Sequence, residues 1–321
     1  MLAYYKINYF HMHLTDDQGW RVEIKSWPNL TAHGSKSAVN GDPGGFYTHA
    51  EYSEIVTYAQ SLYITVVPEI DLPSHINAAL ASYPELNEDG VAPDLYTGVE
   101  VGFNSLSADK EVTYRFINDV MREVAGLTSG SYIHIGGDEA KVTSDEDYRT
   151  IIHRTQEIVQ SYGKQMIGWD EILKCDLSPS TVVQYWRFNE NDKSAPENIK
   201  FIISPANKSY VDMKYHPETP GYDWAGTVSI QQAYGWNPPD EVSGLVEENV
   251  LGVEAPLWSE TLLTIKDIEF MAFPRLPGIA EIGWSPQPLE WAEYKNRLAT
   301  HGKRFEALGI NFYKSDLIEW E

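Results

Sequence analysis

The sequence has few cysteines, few positive charges and no long apolar runs. Its single cysteine, Cys175, cannot form a disulfide within the 321-residue chain, so a small disulfide-stabilised scaffold is excluded. Lysine and arginine number 24 against 47 acidic residues, and the net charge of −23 disfavours phosphate backbones and anionic membranes as partners. No stretch approaches the roughly 18 consecutive apolar residues of a membrane span, and the first residues do not resemble a signal peptide. We therefore expect neither a nucleic-acid-binding nor a membrane-spanning protein.

Hydrophobic residues are abundant, and their spacing predicts an α/β fold. They make up 42% of the chain, which is enough for a buried core. Short apolar runs alternate with helical periodicity, as is typical of parallel strands joined by crossover helices. Helices are expected after the capping residues Thr48 and Ser144 and along residues 112–124 and 291–298. Seven strands are predicted, at residues 7–13, 63–70, 132–136, 165–169, 181–186, 200–204 and 250–258.

This alternation predicts a TIM (β/α)8 barrel that lacks its first strand. Seven strands are one short of a closed barrel, and the chain opens with what resembles the end of a helix leading into a strand. No Pro/Gly/Ser linker, charge block or internal repeat divides the sequence. We therefore expect residues 1–321 to be a single catalytic barrel domain, truncated at its N-terminus.

The most informative motif is Gly136-Gly137-Asp138-Glu139, at the end of a predicted strand. Active sites of α/β barrels lie at such strand ends, and glycines allow a tight turn and a close ligand approach. Two neighbouring acids do not easily lie on opposite sides of one bond, because consecutive strand side chains point in different directions. One acid could protonate a leaving group while the other holds part of the substrate, which must then supply its own nucleophile.

Tryptophans form the second signal. Trp169, Trp186 and Trp258 fall at predicted strand ends, and Trp224 lies in a Gly/Asp-rich loop. Sugar rings present apolar C–H faces that stack on indole, and flanking acids accept hydrogen bonds from sugar hydroxyls. This pattern favours a carbohydrate ligand.

Two other interpretations remain open from the residues alone. A non-catalytic carbohydrate-binding barrel would keep the tryptophans but would not need the acids. A metal-dependent barrel hydrolase could use His11 and His13, with His75, His134 and Asp138 as further ligands. That second interpretation leaves the tryptophans and the Gly-Gly-Asp-Glu turn unexplained.

Five segments together resemble glycoside hydrolase family 20, the β-N-acetylhexosaminidases, most closely their bacterial members. The resemblance covers nearly the whole chain. The segments are His13-Leu-Thr-Asp-Asp-Gln-Gly-Trp-Arg21, Pro68-Glu-Ile-Asp-Leu-Pro-Ser-His75, Gly136-Gly-Asp-Glu139, Tyr210-Val-Asp-Met-Lys-Tyr215 and Gly252-Val-Glu-Ala-Pro-Leu-Trp-Ser-Glu260.

The resemblance implies an exo-acting enzyme that releases terminal β-linked N-acetylhexosamine by a retaining, substrate-assisted mechanism. Glu139 would be the general acid and base. Asp138 would orient the 2-acetamido group, whose oxygen attacks C1 to give an oxazolinium intermediate, and Tyr210 would donate a hydrogen bond to that oxygen. The implied partner is a glycan or oligosaccharide ending in N-acetylhexosamine, and no cofactor or metal is implied.

The resemblance also implies roles for supporting and sugar-binding residues. His75, paired with Asp16 or Asp17, would support the acid, and a His–Asp pair bonded to Glu139 can adjust its pKa toward the acid role. The expected sugar-binding residues are Trp169, Trp186, Trp224, Trp258, Asp212 and Glu260.

Two features usual in this family have no counterpart in the sequence. Its members carry an arginine at the end of the first barrel strand, and a further domain usually precedes the barrel. Arg21 follows the second strand of the expected barrel, in a different motif, and does not replace that arginine. The lack of these two features favours the expectation that the sequence is a fragment of a longer enzyme.

Overall fold

The computed structural model describes residues 1–187 and 195–321. The chain divides into two compact units, Met1–Val183 and Gln184–Glu321. Strand β7, Val182–Tyr185, spans the point of division.

The first unit is built on a parallel sheet with strand order β1-β4-β5-β6-β7. Its registers pair Tyr9 with Thr65, Glu69 with His134 and Tyr132 with Gln165. A short antiparallel hairpin, β2–β3, follows β1. The strands before β7 are β1 Tyr9–His13, β2 Thr15–Asp16, β3 Gly19–Trp20, β4 Thr65–Leu72, β5 Tyr132–Gly136 and β6 Gln165–Trp169. The helices are α1 Asn29–Ala32, α2 His49–Ser61, α3 Asn77–Ser82, α4 Glu111–Leu127 and α5 Asp145–Ser161.

Local sequence signals explain these helices. Thr48 and Glu51 form a capping box at the start of α2, and Ser144 caps α5 by accepting a hydrogen bond from the backbone N–H of Asp147. Helix α4 buries Phe116, Val120 and other apolar residues along one face. The helices thereby cover the apolar strands that carry polar residues at their carboxyl ends.

The second unit continues from β7 with the order β7-β8-β9. Strands β8 and β9 are parallel and pair Phe201 with Val250. Its remaining elements are β8 Lys200–Ile203, β9 Val250–Val253, α6 Ala206–Ser209, α7 Ile230–Tyr234, α8 Ile265–Ala272, α9 Arg275–Trp284, α10 Trp291–Ala299 and α11 His301–Ala307. Buried apolar side chains around Tyr210 and around Tyr234 form its core.

Each predicted strand corresponds to an observed one, and strands 132–136 and 165–169 have the predicted bounds. Four predicted strands, 7–13, 181–186, 200–204 and 250–258, were too long, and the one predicted at 63–70 began and ended two residues too early. Residue Tyr63 has a left-handed φ of 61° and closes the end of helix α2, so β4 begins at Thr65. Strand β9 ends at Val253, and residues 254–260 form a loop that carries Trp258 and Glu260. Seven parallel strands, with helices between most of the consecutive ones described, confirm the predicted α/β class.

Among the described residues, no helix combines the length and the hydropathy needed to cross a bilayer.

Candidate active site

In the first unit, the predicted catalytic residues gather around the imidazole of His75. His75 Nε2 lies 3.5 Å from Asp138 Oδ2 and 3.5 Å from Glu139 Oε2. His75 Nδ1 lies 3.1 Å from Asp16 Oδ1. One imidazole therefore contacts both neighbouring acids and a third carboxylate behind them. We call Asp16, His75, Asp138 and Glu139 the acid cluster.

The geometry distinguishes Asp16 from Asp17. Asp17 Oδ2 is 3.9 Å from His75, whereas its Oδ1 accepts hydrogen bonds from the Asn77 backbone at 2.9 Å and the Asn104 amide at 2.6 Å. Asp17 thus holds the neighbouring loops, and Asp16 is the residue that contacts the imidazole directly.

The turn after β5 requires its glycines. A Cβ on Gly136 would lie 1.6 Å from Asp71 Oδ1, and the residue has a φ of 68°. Gly137 has a φ of 101°, and its carbonyl accepts a hydrogen bond from the Tyr148 hydroxyl at 2.5 Å. The close approach of Asp71 leaves no room for a side chain here, so the turn that presents Asp138 and Glu139 depends on glycine.

Two residues of the acid cluster have left-handed backbones. His75 has a φ of 53° and Glu139 a φ of 48°. Non-glycine residues in this region cost free energy and persist where the surrounding structure fixes them, often at functional sites. These backbone conformations bring the His75 and Glu139 side chains together, with Nε2 of His75 3.5 Å from Oε2 of Glu139.

Burial and charge displace the pKa values of the cluster in different directions. Burial raises the pKa of Asp138 to about 6, against the attraction of His75 and with added repulsion from Glu69 and Glu139. Burial disfavours the charge of His75, but Asp138, Asp16 and Glu139 outweigh it and hold the pKa of His75 well above its usual value. His75 is therefore an imidazolium at neutral pH.

The pKa of Glu139 lies below its ordinary value. Burial alone would raise it, but the hydrogen bond and charge of His75 and the charge of Lys141, 3.4 Å away, outweigh burial. The family resemblance predicts that the His–Asp pair adjusts this pKa toward the acid role. The direction in the structure is the opposite, because the cation beside Glu139 stabilises its carboxylate.

Trp169 lies inside the first unit. It is 2% exposed, and its indole N–H donates to Glu69 Oε1 at 2.9 Å. Glu69 is fully buried, and its carboxylate also lies 2.6 Å from His13 Nδ1. The sequence patterns predict no role for Glu69. Its contact with His13 follows from the register of β1 against β4, which places the two residues side by side.

Several histidines and acids of the first unit are close enough to hold a cation. These groups are His11–Glu69–His134, His13–Glu69–Asp71, Asp16–Asp17–His75 and Asp71–His75–Asp138. However, the pKa of His13 is raised to about 10, because burial is outweighed by Glu69 and Asp16. A protonated imidazole has no lone pair for a metal. In the group that contains His13, the charges therefore favour an ion pair with Glu69 over a bound cation.

In the second unit, three predicted sugar-binding residues lie around Tyr210. The ring of Trp224 meets that of Tyr210 edge-on, at 5.9 Å between centroids, and that of Trp186 at 6.0 Å. Trp224 is 51% exposed, whereas Tyr210 is 2% exposed. Trp186 and Trp258 both pack, partly buried, against the apolar cluster that contains Tyr210. An exposed indole beside a buried phenol is suited to contact with a sugar face.

Asp212 is a fully buried acid of the second unit. Its pKa is raised to about 7, because burial disfavours the charge and Glu260 adds repulsion. Two acids that repel each other are suited to accept hydrogen bonds from hydroxyl groups, which would replace their lost hydration.

Arg275, which the sequence analysis did not select, fixes the backbone that carries Tyr210 and Asp212. Its guanidinium is fully buried and lies 3.7 Å from the centre of the Tyr215 ring. It donates to four backbone carbonyls, those of Val211, Met213, Val228 and Met271. Backbone acceptors leave no trace in a sequence pattern, so this role required coordinates.

Comparison with known proteins identifies the class. The family model described as glycosyl hydrolase family 20, catalytic domain, matches residues 1–150 and 143–287. The chain belongs to this family, and the predicted family is confirmed.

Two curated relatives are similar to the chain over almost its whole length. The chain is 40% identical to a β-N-acetylhexosaminidase of Cellulomonas fimi over 100% of its own length and 66% of that protein's. It is 37% identical to a β-hexosaminidase of Porphyromonas gingivalis over 98% of its length and 44% of that protein's. The chain therefore spans about half to two thirds of these curated relatives.

Two solved structures share the fold. One is the family 20 β-N-acetylhexosaminidase of Streptomyces coelicolor, with a TM-score of 0.95 and 48% identity, covering 100% of this chain and 67% of that one. The other is a mutant Streptomyces plicatus β-hexosaminidase in complex with its product GlcNAc, with a TM-score of 0.95 and 49% identity, covering 100% and 66%. The predicted TIM-barrel type of α/β fold is thereby confirmed.

Proposed function

We propose that this chain is the catalytic part of an exo-acting β-N-acetylhexosaminidase that uses a retaining, substrate-assisted mechanism. The observation that carries the proposal is the contact of one His75 nitrogen with both Asp138 and Glu139 at 3.5 Å. Two acids that are adjacent in the chain and share one imidazole do not easily lie on opposite sides of a glycosidic bond, as the separate acid and nucleophile of the usual glycosidase do. A nucleophile supplied by the substrate resolves this difficulty.

In the first step, Glu139 protonates the leaving glycosidic oxygen. The bond from that oxygen to C1 breaks, and the acetamido oxygen of the same sugar bonds to C1. Bound sugar displaces water from Glu139 and so adds to the desolvation that opposes the lowering of its pKa by His75 and Lys141, which favours the protonated acid.

Asp138 balances the charge that this attack creates. The amide nitrogen becomes positive as the oxazolinium ring forms, and an ionised Asp138 that accepts its N–H stabilises it. Water then attacks C1, the bond from C1 to the acetamido oxygen breaks to restore the acetamido group, and the water gives up a proton to Glu139, which restores the acid. Two inversions at C1 leave the configuration retained.

The second unit supplies the remaining proposed contacts. Tyr210 donates its hydroxyl to the acetamido oxygen, and Asp212 and Glu260 accept sugar hydroxyls. Trp186, Trp224 and Trp258 contact the apolar faces of the ring, and Trp169, whose indole Glu69 holds, is a further proposed wall of the sugar site. The proposed substrate is a glycan or oligosaccharide that ends in β-linked N-acetylhexosamine, and the GlcNAc product in the Streptomyces plicatus structure supports this choice. That residues 1–321 act as one catalytic domain is part of this proposal.

Substitution of Glu139 by glutamine tests the function. We expect kcat toward an alkyl β-N-acetylglucosaminide to fall by about 10²- to 10⁴-fold, the usual contribution of a general acid. A 2,4-dinitrophenyl glycoside should lose less, because its leaving group departs without a proton. The matched control is Glu157→Gln, an exposed change on helix α5. Equal hydrolysis by Glu139→Gln and the unmodified chain would refute the role of Glu139 as general acid. If the unmodified chain bound the sugar but hydrolysed neither glycoside, the carbohydrate-binding barrel would be favoured.

A further inference from the structure

Glu69 is a buried acid that the proposed mechanism does not use. It lies on β4, is fully buried and is surrounded by imidazole and indole nitrogens. Its Oε2 lies 2.6 Å from His13 Nδ1 and 3.1 Å from His11 Nε2. Its Oε1 lies 2.9 Å from Trp169 Nε1 and 3.0 Å from His134 Nδ1. A carboxylate with this many nitrogen contacts has a fixed position.

His13 links this acid to the acid cluster. While its Nδ1 contacts Glu69, its Nε2 lies 3.2 Å from Asp16 Oδ2. The other oxygen of Asp16 contacts His75 Nδ1 at 3.1 Å. Each imidazole uses both nitrogens and Asp16 uses both oxygens, so Glu69, His13, Asp16 and His75 form one continuous chain of alternating acids and imidazoles.

We propose that Glu69 and His13 are positioning residues for the general acid, because they fix the orientation of Asp16 and, through Asp16, that of His75 beside Asp138 and Glu139. The inference rests on the function proposed above and extends it to two residues that do not touch the substrate.

The charges along this chain are consistent with that role. The raised pKa of His13 keeps it an imidazolium, so both of its nitrogens donate at neutral pH. Burial would raise the pKa of Asp16, but hydrogen bonds from His13 and His75 outweigh burial and hold it well below its usual range. Asp16 is therefore an anion with one imidazole donor on each oxygen, and its Oδ1 also accepts from the Asp17 backbone N–H. The titratable and charged groups that face the chain are His11, Asp17, Arg21, Asp71, His134, Asp138 and Glu139.

Removal of His13 should act on the acid step specifically. Without it, Asp16 Oδ2 loses its imidazole donor, Asp16 Oδ1 keeps those from His75 and from the Asp17 backbone N–H, and Glu69 and Asp16 lose the cation between them. The pKa of Asp16 then rises, so Asp16 becomes protonated at a higher pH than in the unmodified chain. His75 loses part of its support, and with it the orientation beside Glu139.

The test is His13→Gln, measured on an alkyl and a 2,4-dinitrophenyl β-N-acetylglucosaminide. We expect the ratio of kcat for the alkyl to kcat for the dinitrophenyl glycoside to fall by about tenfold or more, a fraction of the full general-acid contribution. The acidic limb of the pH profile for the alkyl glycoside should move to higher pH. Glu69→Gln should change the ratio in the same direction, and the exposed change His153→Gln on helix α5 should leave it unchanged.

The ratio is chosen because both rates come from one preparation, so partial unfolding lowers both and leaves the ratio intact. An unchanged ratio and an unchanged acidic limb in both His13→Gln and Glu69→Gln would overturn the inference, even if both variants were less stable. Failure of the unmodified chain to hydrolyse either glycoside would instead refute the proposed function, and this inference with it. If the ratio falls in the two variants but not in the control, both residues position the acid.

Discussion

Replacement of Asp138 by asparagine should make the chain more stable while it abolishes the proposed activity. The folded chain holds the pKa of Asp138 at about 6, against an ordinary value of 3.8, mainly because the carboxyl is buried. At about 1.4 kcal/mol for each tenfold change in proton affinity, that difference corresponds to about 3 kcal/mol. This is the free energy that the folded chain loses when Asp138 ionises.

The sign of the effect follows from proton binding. The folded chain binds the Asp138 proton more tightly than the unfolded chain does, so stability from this group is greatest at low pH. It falls as the pH rises from about 4 to about 6, and above about 6 the whole cost is present. Asparagine is neutral at every pH and avoids that cost. The stability gain of Asp138→Asn should thus be near zero below pH 4 and about 3 kcal/mol above pH 6.

Urea unfolding measured across this pH range checks the prediction. Asp316→Asn is the control, because Asp316 is exposed and the net charge of −23 means that loss of any negative charge relieves some repulsion. The gain of Asp138→Asn should exceed that of the control and should disappear as the pH falls. A variant no more stable than the control at pH 8, or a gain that does not depend on pH, would show that burial of Asp138 carries no such cost.

Two further predictions concern the backbone around the site. Gly136→Ala should destabilise the first unit by about 3 kcal/mol or more, because its Cβ would meet Asp71 Oδ1 at 1.6 Å. Gly163→Ala, with a similar φ of 72° and no atom within 4 Å, should lose only about 1–2 kcal/mol from its backbone; equal losses in urea unfolding would contradict the close-approach argument. Arg275→Met should cost about 3 kcal/mol or more, because buried carbonyls lose their donors. A loss below 1 kcal/mol for Arg275→Met in the same assay would show that the guanidinium does not hold this loop.

The strands and the acid cluster could be predicted from the sequence because their signals are local. Apolar runs bounded by glycine gave strands 132–136 and 165–169 their bounds, and the Gly-Gly-Asp-Glu motif marked the turn that presents the acids. His75 and Asp16 followed from the family resemblance, and the structure brings them to 3.1 Å. The choice between Asp16 and Asp17 needed coordinates, because neighbouring side chains of one hairpin differ only in direction.

The contacts of Glu69 could not be predicted from local patterns. Glu69 meets His13 across 56 residues of sequence and Trp169 across 100. The register of β1 against β4 pairs His13 with Glu69, and the strand order β4-β5-β6 places Trp169 one strand beyond their neighbour β5. The spacing of His11 and His13 is evident in the sequence, where it is compatible with a metal site as an alternative. Their contact with the buried acid Glu69 is evident only in the structure.

Several unfavourable features of the first unit lie at the carboxyl ends of β4 and β5. An acid with a raised pKa, two left-handed non-glycine residues and a glycine against a carboxylate all occur at residues 71–75 and 136–139. Each costs folding free energy that apolar packing elsewhere must offset. A fold selected for stability alone would relax at least one of them, since asparagine at 138 removes one cost without a change of shape. Their joint presence at one place is therefore better explained by chemistry that requires an ionised, desolvated acid next to a proton donor.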